Sequence, residues 1–98
     1  MSWKTVNNRL TKEYKFKNQT ELAAFFLKVA KIADEKDHHP DATIRKCSVL
    51  LLELYTHTEN KISDLDYLVA KKIDLIYLIN LVLSKLRWIV PSEIKQRK

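Results

Sequence analysis

Three histidines and a few nearby carboxylates are the residues of this chain best suited to moving protons near neutral pH. His38 and His39 stand side by side before Pro40, in "DEKDHHPDATIRKC", and His57 follows in "ELYTHTEN". Asp34 precedes His38 by four residues, and Asp66 follows His57 by nine. An imidazole, with a pKa of about 6.5, can give or take a proton at pH 7, which suits general acid–base work. The residues alone leave three readings open: an acid–base site, a zinc site built from three histidines and Asp66, and a set of exposed, inert rings. Neighbouring histidines aim at one metal only with strain, but the spacing does not choose among the three.

For these groups to meet, the chain must bring a helix end, a strand end and a helix start to one rim. Pro40 drives His39 out of helical geometry, so the helix before it should stop near Asp37 or His38. That helix is predicted from "QTELAAFFLKVAKIADEKD", with Asn18 and Glu21 at capping-box spacing and an apolar stripe of Leu22, Phe25, Phe26, Val29 and Ala33. Before it, residues 3–7 and 10–17 read as a hairpin around Asn8 and Arg9, with Leu10, Tyr14 and Phe16 on one face and Lys12 as a polar exception. After it, "ATIRKC" and "SVLLLELYTH" read as two strands joined by a tight turn at Lys46 to Ser48. Leu50, Leu52 and Leu54 should point one way, and Leu51, Glu53 and Tyr55 the other, towards a second subunit. Ser63 is a suitable N-cap for a last helix starting at Asp64, with a stripe of Leu65, Leu68, Val69, Ile73, Ile76 and Tyr77 and a pattern that continues to Pro91. The expected fold is α+β: a four-stranded antiparallel sheet with helices packed on one face, in the order β-β-α-β-β-α.

Composition narrows the partners. The 98 residues fit one domain over 1–98, with an extended C-terminal helix and a basic tail, "PSEIKQRK", from about residue 79 onward. The net charge of +6 is spread from Lys4 to Lys98, which reads as a solvated surface rather than a nucleic-acid face. The N-terminus "MSWKTVNNRL" has no apolar run, and Asp74, Lys85 and Arg87 interrupt the apolar helix, so neither a signal peptide nor a membrane span is expected. A single cysteine, Cys47, excludes an internal disulfide and a cysteine-rich zinc site, and suits a cytoplasmic protein. With no glycine in the chain, turns needing positive φ must use asparagine, for which Asn7, Asn8 and Asn60 are the candidates.

Asp34, then His38-His39-Pro40, then Thr56-His57, then Asp66, together with the aromatic strand end "YKFKN", resembles the pterin-4a-carbinolamine dehydratase family over roughly residues 3 to 78. The likeness departs at Cys47, where an aromatic is usual; at Asn60 and Lys61, where glycines are common; and at Ala42, where some members carry tryptophan. The resemblance implies dehydration of a 4a-hydroxytetrahydropterin to the quinonoid dihydropterin, with no metal and no cofactor. His38 and His57 would then be the acid–base pair, and His39 would mainly hold the pterin. Asp66 would orient a histidine or the ring, Asp34 would help to fix His38, and Pro40 and Thr56 would line the substrate. The resemblance also implies a homodimer or homotetramer. Its rival is a non-catalytic protein-binding or dimerisation module on the same fold.

Overall fold

A computed structural model describes residues 2–86, and Trp88, the helix end at Pro91 and the basic tail lie outside the described residues. The elements are β1 (Lys4–Val6), β2 (Arg9–Lys15), α1 (Gln19–Lys36), β3 (Asp41–Arg45), β4 (Val49–Leu54) and α2 (Asp64–Leu86). The strands form one antiparallel sheet in the order β1-β2-β4-β3, and the fold is the expected α+β layer structure.

The first hairpin turns at Asn7-Asn8, one residue earlier than the pattern suggests. Both residues have positive φ, 51° and 68°, as a two-residue primed turn requires, and asparagine tolerates that region better than arginine does. The Asn18 side chain accepts from Glu21 N at 2.9 Å and caps α1, which ends at Lys36 with Asp37 in the left-handed region. Lys46 and Cys47 also have positive φ, and they carry the loop between β3 and β4. Cys47 therefore sits at the tip of that hairpin, at the opposite end from the histidines.

Leu50, Leu52 and Leu54 of β4 are fully buried, and with Leu10 and Tyr14 of β2 they pack against Leu22, Phe25, Val29, Val69, Ala70 and Ile73 of the helices. Leu68 does not join this stripe: at 41% exposed it lies on the outer side of α2, because the buried row runs through Asp66, Val69, Ala70 and Ile73. On the other sheet face, Arg9–Asp41 at 2.6 Å and Arg45–Glu13 at 3.3 Å each run from β2 to β3 across β4, bracketing Leu51. Every residue of β3 is exposed, so this edge lies beyond the cover of the helices.

Lys12, on the core-facing side of β2, is explained by Asp74 of α2. The Lys12 amine (2.7 Å) and Tyr14 hydroxyl (2.5 Å) reach Asp74 Oδ1, and the Trp3 indole N–H donates to Oδ2 at 3.2 Å. Burial, and then the bond to Asp74 and its charge, push the Tyr14 phenol far above its ordinary pKa, so it stays a donor. This cluster fastens α2 to the sheet. Replacing Asp74 with alanine is expected to lower stability by about 2 kcal/mol, seen as a lower urea midpoint at unchanged slope. A loss under about 0.5 kcal/mol would mean that water satisfies the freed donors equally well.

Candidate active site

The helix end fixes the first histidine. Asp37 adopts φ 50°, and the His38 N–H donates to Ala33 O at 3.0 Å, the six-to-one bond that closes a helix terminus. His38 is thus set by α1, while Pro40 holds the next backbone unit extended into β3. Because Asp41 pairs with Glu53, the His-His-Pro segment enters β3 at the same end of the sheet at which β4 runs out into Tyr55, Thr56 and His57. The third contributor is the first turn of α2, which begins at Asp64.

Asp66 occupies the third position of that turn and is completely buried. Its Oδ2 accepts from the Ser63 N–H at 2.8 Å, the return half of a capping box, and from the Thr56 hydroxyl at 2.7 Å. Its Oδ1 meets His38 Nε2 at 2.5 Å. The single Thr56 hydroxyl proton goes to Asp66, which leaves the Ser63 hydroxyl as donor in its 2.6 Å contact with Thr56 Oγ1. One carboxylate therefore joins the end of α1, the end of β4 and the start of α2.

Burial by itself would raise the Asp66 carboxyl. The hydrogen bonds from His38, the Ser63 amide and Thr56, with the charge of His38, outweigh it and hold the group below its ordinary value of 3.8. An ionised Asp66 accepts the Nε2 proton of His38, which leaves Nδ1 as the nitrogen able to take or release a proton. The His38 side chain is only 12% exposed, so water competes little for its contact with Asp66.

The remaining site residues lie around this dyad. His39 Nε2 meets Asp34 Oδ1 at 2.8 Å in an exposed pair, so Asp34 reaches the second histidine of the pair and not His38, whose carboxylate partner is Asp66. Asp34 lies two residues before the end of α1 at Lys36, and His38 has already turned inward to Asp66 of α2. Pro40 is half-buried, and Thr56 is buried with its hydroxyl on Asp66. Thr56 also pairs with Lys61 through Thr56 N to Lys61 O at 3.0 Å, closing a four-residue loop that starts at His57. His57 is exposed, and its ring packs edge-on against Tyr55 at 5.1 Å between centroids. His38, Thr56, Ser63 and Asp66 are thus directly joined, His39 and Asp34 form a second unit, and His57 stands on the same rim without a bond to either. Among the described residues, no group of three His, Cys, Asp or Glu side chains is placed to share a metal ion.

Ser63 was assigned only a capping role by the sequence pattern, yet it supplies an amide and a hydroxyl to the site. The Ser-x-x-Asp spacing of Ser63 and Asp66 is the signal that could have revealed this.

Because the Asp66 pKa is depressed, the carboxylate contributes stability that is present above the unfolded-state value of about 3.9 and is lost as pH falls through the lower folded value. Acid unfolding of the wild type should therefore steepen below about pH 4, and Asp66→Asn should flatten that limb and cost about 2 kcal/mol at pH 7. Parallel pH–stability curves for the two proteins would contradict the assignment of an ionised, hydrogen-bonded Asp66.

Comparison with known proteins shows the family. The family described as Pterin 4 alpha carbinolamine dehydratase matches residues 1–76. A protein of Sulfolobus acidocaldarius that carries the provisional name pterin-4-alpha-carbinolamine dehydratase is 46% identical over 72 residues, covering 74% of this chain and 78% of its own. A protein of Thermomicrobium roseum with the same provisional name is 42% identical over 71 residues, covering 72% of this chain and 75% of its own. The crystal structure of a transcriptional coactivator/pterin dehydratase from Brucella melitensis superposes with a TM-score of 0.71 at 29% identity, over 76% of this chain and 81% of that one. A pterin dehydratase-like protein described as a RuBisCO assembly factor of the alpha-carboxysome shares the fold, with a TM-score of 0.65 at 19% identity over 76% of this chain and 88% of that one. With the matched region spanning both helices' site-facing ends and all four strands, the chain belongs to the pterin-4-alpha-carbinolamine dehydratase family.

Proposed function

We propose that this protein dehydrates a 4a-hydroxytetrahydropterin to the quinonoid dihydropterin by histidine acid–base catalysis. The observation that carries the reading is the buried Asp66 carboxylate bonded to His38 Nε2 at 2.5 Å, which orients a proton-transfer group at the rim where the His-His-Pro segment and the Thr56-His57 strand end converge. The reaction needs one proton delivered to the departing 4a-hydroxyl and one taken from a ring nitrogen, as the C4a–O bond breaks and a C=N bond forms. His38 and His57 are the pair for those transfers. His39, steadied by Asp34, holds the pterin with Pro40, while Thr56 acts through its bond to Asp66. The single exposed thiol of Cys47 is compatible with a cytoplasmic setting.

The direct test follows dehydration of chemically made 4a-hydroxytetrahydropterin. The expected result is acceleration over buffer that drops by about 100-fold in His38→Ala and in His57→Ala, the scale of general acid–base catalysis. No acceleration, or a rate indifferent to His57→Ala, would reject the mechanism.

A second feature supports the association of copies of this chain, as a homodimer or homotetramer. Leu68, Leu75 and Val82 are exposed at seven-residue intervals along α2, with Leu78 and Ile79 exposed between the last two. A seven-residue apolar seam is matched by another helix with the same repeat, and the chain's own copy supplies one. Sedimentation velocity should show a species above monomer mass that Leu75→Glu reduces to monomer. A wild-type protein that sediments as a monomer would end this reading, and would leave the seam to the rival role of binding a different protein.

A further inference from the structure

We propose that Tyr55 is the positioning residue of His57, an inference that rests on the reading of His57 as a proton-transfer group. His57 opens the surface loop of residues 57–60 and is exposed, so nothing about its backbone alone would confine its ring. Tyr55, two residues earlier on the same side of the strand end, constrains it in two ways. Its ring meets the His57 imidazole edge-on, at 5.1 Å and 80° between planes. Its hydroxyl donates to Asn60 Oδ1. Asn60 in turn donates its backbone N–H to His57 O at 3.2 Å and holds the left-handed φ of 57° that the loop requires.

In a chain without glycine, the loop must place a side-chain-bearing residue in that conformation. The Tyr55–Asn60 bond anchors the residue that does so, and the same tyrosine ring sets the imidazole that the loop carries. Tyr55 is itself held from the sheet: the Arg9 guanidinium lies over its ring at 5.4 Å from the centroid and is tied to Asp41 at 2.6 Å. Asp41 begins β3 directly after His38-His39-Pro40, so the chain Asp41, Arg9, Tyr55, His57 runs from one histidine segment to the other across the outer sheet face. Glu53 is a second carboxylate whose charge reaches Arg9.

The role is orientation and not chemistry, so its loss should act on turnover while leaving the binding of pterin nearly untouched. An aromatic contact of this kind biases a rotamer by about threefold to tenfold in population. Three variants separate the contributions. Tyr55→Leu removes the ring, Tyr55→Phe keeps the ring and removes the hydroxyl, and Asn60→Gly removes the anchored side chain while easing the backbone. Two readouts apply to each folded variant, with folding checked by circular dichroism. The first is the 1H–13C NMR signal of the His57 ring, assigned with His57→Ala. The Tyr55 ring should displace it in the wild type and in Tyr55→Phe, and Tyr55→Leu should return it towards the free-imidazole position while the His38 signal stays in place. The second is dehydration of 4a-hydroxytetrahydropterin, where Tyr55→Leu should lower kcat about threefold to tenfold with KM within about twofold, and Tyr55→Phe should restore most of kcat. Tyr55→Phe and Asn60→Gly should be non-additive when combined, since they remove one shared bond. A His57 signal unchanged in Tyr55→Leu would overturn the proposal, as would a Tyr55→Leu effect confined to KM. A wild-type protein that fails to accelerate dehydration would refute the dehydratase reading instead, and the NMR arm would still decide whether Tyr55 sets the ring.

Discussion

One buried carboxylate organises this molecule. Asp66 has no exposed surface, and an ionised group in that position is tolerable only when each oxygen is met by a donor. The donors come from three separate elements: His38 from the end of α1, Thr56 from the end of β4, and the Ser63 amide from the start of α2. A rim assembled without Asp66 would leave His38 Nε2 and the Ser63 amide without their acceptor, and Thr56 with only its contact to the Ser63 hydroxyl. With it, the helix cap, the strand end and the histidine form one network. The depressed pKa of Asp66 is the electrostatic expression of that arrangement.

The network works only because its parts arrive at the same place. The Leu50, Leu52 and Leu54 row seats both helices on one face of the sheet, and the Asp74 cluster with Lys12, Tyr14 and Trp3 holds α2 further along its length. Asp66 and Asp74 lie two turns apart on α2 and each bind donors from elsewhere in the chain, one at the site and one remote from it. The remote cluster lies where β2 meets α2. Its effect is to keep α2 from sliding along the sheet, and a displacement of about 1 Å at Asp66 would spoil the orientation of His38.

Much of this was legible in the sequence, for physical reasons that can be named. Period-two alternation in "SVLLLELYTH" and the Asn18/Glu21 capping spacing located β4 and the start of α1, because local geometry alone sets those patterns. The asparagines were readable as positive-φ residues because a glycine-free chain leaves few alternatives, although Asp37, Lys46 and Cys47 also adopt positive φ. Other features depend on tertiary partners and were not readable. The wrong face for Leu68 follows from a helix whose outer side is nearly as apolar as its inner one, so periodicity could not tell them apart. The choice of His39 by Asp34 and of His38 by Asp66 depends on how the helix end turns, and sequence separation is silent on that. Likewise, Lys12 looked like an exception until Asp74 supplied its counter-charge, and Tyr55 looked like one more outward-facing residue until its ring and hydroxyl were seen to meet His57 and Asn60.

The central claim is that Asp66 fixes the tautomer of His38, with the proton on Nε2 and the working lone pair on Nδ1. Long-range 1H–15N NMR of the imidazole rings across neutral pH tests it most directly. The account predicts that the neutral His38 ring carries its proton on Nε2 and its lone pair on Nδ1, and that Asp66→Asn shifts the Nε2–H signal. A neutral His38 with its proton on Nδ1, or with signals unmoved by Asp66→Asn, would contradict it.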